Sequence, residues 1–141
     1  LNLKELIHYF VEHRHEVVVR RTEYLLRKAE ERAHILEGLI IASDNIDEVI
    51  RLIRASANAD EAREVLTKTF ELSEIQAKAI VEMRLRQLTG LEQDKLRSEY
   101  DDLMNTIDDL KDILAKKERR MEIIKTELQE IKEAKIVIQF N

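Results

Sequence analysis

Apolar residues recur at every third or fourth position between Leu96 and Ile131, with a single step of seven across Lys117. A heptad pattern of this kind predicts a helix that packs against a partner helix along its whole length. At a rise of 1.5 Å per residue, such a helix is on the order of 50 Å long. The apolar positions are Leu96, Tyr100, Leu103, Ile107, Leu110, Leu114, Met121, Ile124, Leu128 and Ile131.

A second long helix is predicted over residues 3–42, where apolar residues form one stripe and no helix breaker occurs before Gly38. The two long helices are similar in length, about 60 Å each. The stripe consists of Leu3, Leu6, Ile7, Phe10, Val17, Tyr24, Leu25, Ile35 and Leu39.

Between the two long helices, the pattern changes to short helices that are separated by N-cap signals. A Ser, Thr or Asn followed three residues later by Glu or Gln is typical of a capping box at a helix start. Three boxes and one simple cap are predicted: Asn58 with Glu61, Ser73 with Gln76, Thr89 with Glu92, and Ser43 or Asp44 before the first short helix.

Two matched helices flanking a compact insert predict an all-α fold, a long antiparallel two-helix coiled coil with a small helical globular knob at its tip. In the alternative, each long helix pairs with a helix of another chain, and the insert connects the two long helices without their packing against each other. The predicted parts are an ascending helix at 1–42, the knob at 43–91 and a descending helix at 92–135. Residues 136–141, with the β-like run IVIQF, are expected to form a strand or to be foreign to the natural protein.

Three basic residues, Arg14, Arg21 and Lys28, occupy the same heptad position of the first helix. Placing Leu39 opposite Leu96 sets an antiparallel register in which each of these cations faces acidic residues of the last helix. Exposed ion pairs contribute only about 0–1 kcal/mol each, so we expect them to select the register more than to add stability. The predicted pairs are Arg14 with Glu118 and Glu122, Arg21 with Asp112, and Lys28 with Asp108 and Asp109.

The composition supports long helices. The chain has 141 residues without Pro or Cys and with two Gly, and roughly half of it is Ala, Glu, Lys, Arg and Leu. This composition argues against an all-β or Rossmann fold, and the lack of Cys excludes disulfides and thiolate chemistry within the chain. Neither an apolar run of about 18 residues nor a signal-peptide pattern is present. Because the sequence does not begin with Met, we expect it to be a piece of a larger protein.

Few residues of the sequence suggest catalysis or the binding of a metal ion or nucleic acid. The net charge of −5 argues against strong nonspecific binding to nucleic acid. His8, Glu12 and His15 share one helix face, but a solvated surface explains them better than a metal site because no fourth ligand is evident. No pattern of a nucleophile, a general acid or a general base stands out. The residues alone predict a helical rod with a knob and no active site.

Three runs carry a family resemblance: HRHEVVVRRTEYLLRKAEERAHILEGL at 13–39, DNIDEVIRLIR at 44–54, and QAKAIVEMRLRQLTGLEQDKL at 76–96. They resemble the A subunits of bacterial DNA gyrase, and those of topoisomerase IV are nearly as similar. The resemblance covers about residues 3–134 in order. It does not separate gyrase from topoisomerase IV.

The resemblance implies a segment of an ATP-dependent type IIA DNA topoisomerase. In that family a coiled coil carries a knob, and two knobs meet across a twofold axis to form the exit gate that releases the transported duplex. The resemblance places the nucleophilic tyrosine upstream of this segment, so Tyr9, Tyr24 and Tyr100 match coiled-coil positions. It implies Mg²⁺ and ATP for the parent complex only, with no catalytic or metal residue here.

The same resemblance implies a homodimer through the knob, a partner B subunit in an A2B2 complex, and DNA that passes without a strong binding site here. It also implies a bacterial cytoplasmic protein at the nucleoid, away from membranes. Two other functions stay open, a coiled-coil scaffold or adaptor with another partner, and a helical binder of duplex along the basic seam. Apolar residues in excess of the knob's own core are the candidate dimer interface: Ile46, Ile50, Ile53, Leu72, Ile75, Ile80 and Leu88.

Overall fold

The computed structural model of the protein describes residues 2–83 and 90–140, and the side chains of residues 2–83 and 92–134. All regular structure within these residues is α-helical, which confirms the predicted all-α fold. The helices are α1 (Leu3–Asp44), α2 (Ile46–Ala55), α3 (Ala59–Phe70), α4 (Glu74–Glu82), α5 (Gly90–Ala115) and α6 (Lys117–Phe140).

The chain divides into two compact units. Unit 1 consists of Leu1–Lys28 and Ile107–Asn141, and unit 2 consists of Ala29–Thr106. Unit 2 includes more of the long helices than the predicted knob at 43–91, because α1 supplies part of its core.

The core of unit 2 collects apolar side chains from α1, α2, α3 and α4. Helix α3 packs against both α2 and α4. Because the last three turns of α1 contribute several of these side chains, the short helices fold onto α1 rather than around a core of their own. The buried residues are Leu36, Leu39, Ala42, Val49, Leu66, Leu72, Ala77 and Ile80.

Within unit 2, α1 and α5 run antiparallel, as the heptad patterns predict. Arg32 Nε donates to Glu99 Oε1 at 2.9 Å, and Gln93 Nε2 donates to the Ser43 carbonyl at 3.2 Å. Residue numbers rise along α1 as they fall along α5, which is the order that an antiparallel pair requires.

Two of the predicted helix starts are confirmed. Asn58 accepts from the Glu61 amide at 2.8 Å, and Ser73 forms a complete capping box with Gln76. The predicted cap at Ser43 or Asp44 is wrong, because α1 continues through Asp44 and Asn45 precedes α2. The Thr89 part of the box predicted with Glu92 lies outside the described residues.

In unit 1, buried residues of α1 and of α5 and α6 alternate with charged exposed ones, the pattern of a coiled-coil-like pair. Val18 and Thr22 are buried on α1, and Thr22 donates its hydroxyl hydrogen to the Val18 carbonyl at 2.7 Å. On the descending side the buried residues are Ile107, Leu110, Ile113 and Ile124.

The predicted uninterrupted descending helix is wrong, because α5 ends at Ala115 and α6 begins at Lys117. Neither Gly nor Pro causes this break. The guanidinium of Arg120 instead donates to the carbonyls of Ile113 and Leu114 at 3.0 and 2.7 Å. In a continuous α-helix those carbonyls accept from backbone amides four residues later. The break falls at the one step of seven in the apolar pattern.

The strand expected within residues 136–141 is also wrong, because α6 continues through Phe140. The β-branched residues of IVIQF follow an uninterrupted run of good helix formers without Gly or Pro, so nothing in the sequence terminates the helix before them.

Candidate functional site

Among the described side chains of unit 2, Ile75 is the large aliphatic one that is most exposed to solvent. Ile75, in the first turn of α4, is 62% exposed. Among the described residues of unit 2, Met104 is the other large hydrophobic side chain with clear exposure, at 36%. Ile75 lies in an open groove of about 650 Å³ between α3 and α4. The groove is lined by Asp60, Arg63, Glu64, Thr67, Lys68, Glu74, Ile75 and Lys78.

The charges of this α3–α4 groove balance, with three acidic and three basic side chains around Ile75. Several are paired within their own helix, such as Lys68 with Glu64 at 3.0 Å and Arg63 with Asp60. A neutral surface of alternating charge does not attract a polyanion strongly.

Gln76 fixes α4, and with it Ile75, against α1. Its side-chain oxygen accepts from the Ser73 amide at 3.0 Å, as part of the capping box. Its Nε2 donates to the His34 carbonyl on α1 at 2.6 Å. A third contact joins His34 Nε2 and Ser73 Oγ at 2.8 Å. The buried Gln76 therefore connects the start of α4 to the α1 backbone.

Gly38 permits the close approach of α1 and α4. A Cβ at position 38 would lie 2.7 Å from Cβ of Gln76 and 2.9 Å from its Cγ, closer than side chains pack without moving. A glycine inside a helix costs about 1 kcal/mol relative to alanine. Here it leaves room for Gln76 to reach the carbonyl of His34.

Three of the predicted interface residues lie on α2. Ile46, Ile50 and Ile53 are half-buried, and Ile53 packs against the core of unit 2. Ile50 lines a shallow groove with Arg51 and other residues of α2. The role of these three isoleucines in a dimer stays a prediction.

Two predicted interface residues are corrected. Leu72 is 5% exposed and Ile80 is 1% exposed, and both belong to the core of unit 2. Helical periodicity marks an apolar face but does not tell whether that face meets the chain's own core or another molecule. Leu88 lies outside the described residues, so Ile75 is the candidate on α4 that the structure leaves accessible.

The predicted ion pairs of unit 1 involve different acids from those expected. Arg14 and Arg21 both donate to Glu127, at 2.5 and 2.6 Å, rather than to Glu118, Glu122 or Asp112. In the predicted register Glu127 lies opposite residue 8, roughly 20 Å along the helix axis from Arg21. The alignment therefore does not account for the Arg21 contact. Arg120, in contrast, donates to His15, the residue that the same alignment places opposite it.

Asp109 and Asp112 hold the end of α5 to the start of α6. Arg119 Nη1 lies 2.8 Å from Asp109 and 2.9 Å from Asp112. Hydrogen bonds from Lys116 and Arg119 lower the pKa of Asp112 below its ordinary value. Lys28 Nζ lies 5.7 Å from the ring centre of Tyr24. Asp108, Glu118 and Glu122 are exposed. The predicted pairing of Lys28 with Asp108 or Asp109 stays a prediction.

The ion pairs of Glu127 with Arg14 and Arg21 predict that the unfolding free energy of the chain falls at acidic pH. Burial raises the pKa of the Glu127 carboxyl, but hydrogen bonds from Arg21 and Arg14 outweigh it, so the net pKa is lowered. The stabilisation is therefore present above the unfolded pKa of about 4.3 and is lost as the pH falls through the folded value. Glu127→Gln is expected to cost about 1 kcal/mol at pH 7.

Urea denaturation at pH 7 and pH 3 measures this effect. The difference in unfolding free energy between the native chain and Glu127→Gln should shrink toward zero at pH 3. Glu130→Gln, at an exposed position three residues later on the same helix, is the matched control. An equal difference in unfolding free energy at both pH values would contradict stabilisation by the ionised Glu127 carboxylate.

Among the described side chains, no group of three or more His, Asp or Glu is placed to hold a metal ion. His15 Nε2 accepts from Arg120 Nε at 2.8 Å, so its lone pair is used within unit 1. In the part of the chain that the structure describes, no helix is both long and apolar enough to cross a membrane.

The fold and the surface define a helical protein of paired long helices with a small helical unit. The sequence model of the family of DNA gyrase and topoisomerase IV A subunits matches residues 1–129. This chain belongs to that family. The match confirms the resemblance seen in the sequence.

Bacterial relatives agree with the family match. The chain is 60% identical over 132 residues to the DNA gyrase A subunit of Streptococcus pneumoniae, a match that covers 94% of this chain and 16% of the relative. It is 53% identical over 131 residues to the DNA gyrase A subunit of Helicobacter pylori, a match that covers 93% of this chain and 16% of the relative. The chain therefore spans about one sixth of the length of these relatives.

Proposed function

We propose that this chain is the exit-gate dimerisation module of a bacterial type II DNA topoisomerase, in which unit 2 joins two A subunits reversibly. The observation that carries the proposal is the neutral, alternately charged α3–α4 groove around the exposed Ile75. Family membership supplies the context, because an A subunit of gyrase or topoisomerase IV must release a duplex while the enzyme stays assembled.

The two halves of such a gate must separate and meet again. An interface of moderate size suits this duty better than a large obligate one, because its association is reversible at cellular concentrations. A single aliphatic residue surrounded by a polar rim follows the usual anatomy of interfaces, with an apolar centre and hydrated edges. Ile46, Ile50 and Ile53 extend the candidate surface to α2.

In this proposal the segment closes and opens the exit gate, and the catalytic residues lie in the rest of the parent enzyme. The parent is an ATP-dependent topoisomerase with Mg²⁺, assembled with a B subunit in the bacterial cytoplasm. The transported duplex passes the gate without binding tightly to this chain, which its net charge of −5 favours.

Subunit exchange tests the proposal. Two batches of the chain, labelled with a donor and an acceptor fluorophore at the amino terminus, are mixed at micromolar concentration. We expect energy transfer to grow on mixing and to fall on dilution, because dimers form and exchange reversibly. A chain that stays monomeric at 100 µM would contradict the gate function and leave the scaffold with another partner as the better account.

A helical binder of duplex DNA is the other function that the basic positions of α1 suggested. Arg14 and Arg21 are engaged by Glu127, which leaves them less available to phosphates. Fluorescence anisotropy with a labelled duplex at low salt separates the two functions. Affinity that falls steeply with salt would favour the binder.

A further inference from the structure

A small polar cluster joins the start of α4 to α1, and we call its members, His34, Ser73 and Gln76, the His34 cluster. At the α4 end, the Ser73 amide donates to Gln76 Oε1 at 3.0 Å, and the Gln76 amide donates to Ser73 Oγ at 3.2 Å. Toward α1, Gln76 Nε2 lies 2.6 Å from the His34 carbonyl oxygen and 3.4 Å from His34 Nδ1. His34 Nε2 lies 2.8 Å from Ser73 Oγ.

The hydrogen bonds of the His34 cluster select one protonation state of the imidazole. Because Gln76 Oε1 accepts from the Ser73 amide, the two hydrogens of Gln76 Nε2 point toward α1. One is donated to the His34 carbonyl, and the other faces His34 Nδ1, which is therefore an unprotonated acceptor. In a neutral imidazole the proton is then on Nε2, and it is donated to Ser73 Oγ.

A second proton on the His34 ring conflicts with this arrangement. An imidazolium carries a hydrogen on each nitrogen, so Nδ1–H would face the Nε2 hydrogens of Gln76. Turning the Gln76 amide over would place its oxygen at Nδ1, but the Ser73 amide would lose its acceptor and the His34 carbonyl its donor. Because Gln76 is buried, water does not readily replace these partners. Protonation therefore leaves either a contact between two donors or unpaired polar groups.

Charged and titratable groups also surround the His34 ring. Those on α1 and α5 stay beside the ring whether or not the start of α4 is in place, so they do not distinguish the two states. Glu71 would move with α4, but it is exposed, and water screens its attraction for an imidazolium. The groups are Glu30, Glu31 and Glu37 on α1, Glu71 before α4, and Arg97, Tyr100 and Asp101 on α5.

We propose that neutral His34 is a positioning residue for Ile75, and that a second proton on its ring loosens the start of α4. Ile75 lies between Ser73 and Gln76 in the first turn of α4, so its position depends on this cap. His34 is exposed, so solvent protons reach the ring, and histidine ordinarily gains its second proton between about pH 5 and 8. The inference rests on the proposed function in one respect, that the surface around Ile75 joins two chains.

Dimer dissociation constants at pH 7.5 and pH 5.5, measured by sedimentation equilibrium, test the proposal. We expect the native dimer to be weaker at pH 5.5 by about tenfold, the effect of one unpaired buried polar group. His34→Asn should keep the affinity at pH 7.5 within about threefold and lose the pH response, because the asparagine oxygen accepts from Gln76 without titrating. His13→Asn, at an exposed histidine of the same helix, is the matched control and should keep the pH response.

Amide hydrogen exchange tests the loosening of α4 without relying on a dimer. The protection factor, the ratio of intrinsic to observed exchange rate, removes the intrinsic effect of pH. In Ile75→Glu, the protection factor of the Gln76 amide should fall by about tenfold between pH 7.5 and pH 5.5, because its acceptor, Ser73 Oγ, is no longer held in place. The Glu61 amide, which donates to the Asn58 side chain at the start of α3, is the internal control and should keep its protection.

Three results would overturn the proposal. They are an unchanged protection factor of the Gln76 amide, a dimer whose affinity does not depend on pH, and a pH response that survives in His34→Asn. A native chain that does not dimerise at either pH would contradict the proposed function instead. The exchange of the Gln76 amide alone would then decide whether His34 holds the start of α4.

Discussion

Ile80→Glu is expected to unfold unit 2. The Ile80 side chain is 1% exposed and packs in the core with Leu36 and Leu66. A carboxylate placed there loses its hydration without gaining a partner, and the apolar contacts of isoleucine are lost as well. We expect a loss of more than about 4 kcal/mol, which is large compared with the usual stability of a small domain.

Circular dichroism with urea denaturation measures this loss. The matched control is Ile75→Glu, the same substitution five residues earlier on α4, where the side chain is 62% exposed. The control should change the unfolding free energy by less than about 1 kcal/mol. Similar stabilities for the two variants would contradict the division of α4 into a core face and a surface face.

Ile75→Glu is expected to weaken the dimer by roughly 100-fold while the chain stays folded. In an isologous interface one substitution removes an apolar contact from both copies and places two carboxylates near the axis. A loss of about 3 kcal/mol in the dimer corresponds to this factor, since each 1.4 kcal/mol is tenfold. Ile131→Glu, at an exposed isoleucine in unit 1, is the matched control and should leave association unchanged.

The sequence predicted the helices of this fold well because local signals determine them. Ser73 with Gln76 and Asn58 with Glu61 marked helix starts through hydrogen bonds that form within four residues. The antiparallel pairing of α1 and α5 followed from apolar periodicity over many turns. These features depend on neighbours in sequence, so the sequence is enough to find them.

The missed features depend on side chains that reach between distant positions. The break at Lys116 has no helix breaker, and its cause is the guanidinium of Arg120 bound to two carbonyls and to His15. The single step of seven in the apolar pattern was the only sequence signal for it. Arg14 and Arg21 contact Glu127 instead of the acids that the alignment placed opposite them.

The candidate interface was predicted only in part. Apolar periodicity selected Leu72, Ile75 and Ile80 together, although the structure exposes only Ile75 among them. The contact that fixes α4 was not predicted, because it joins Gln76 to a carbonyl 42 residues earlier. The nearest signal was Gly38, a helix-interior glycine that marks a close approach.

Sedimentation equilibrium of the native chain between 1 and 100 µM tests the dimerisation of unit 2 most directly. We expect an average mass that rises from the 16.7 kDa of one chain toward twice that value. We expect Ile75→Glu to remain at the mass of one chain over the same range. A native chain that stays at 16.7 kDa throughout, or a dimer that Ile75→Glu does not weaken, would contradict dimerisation through the α3–α4 groove.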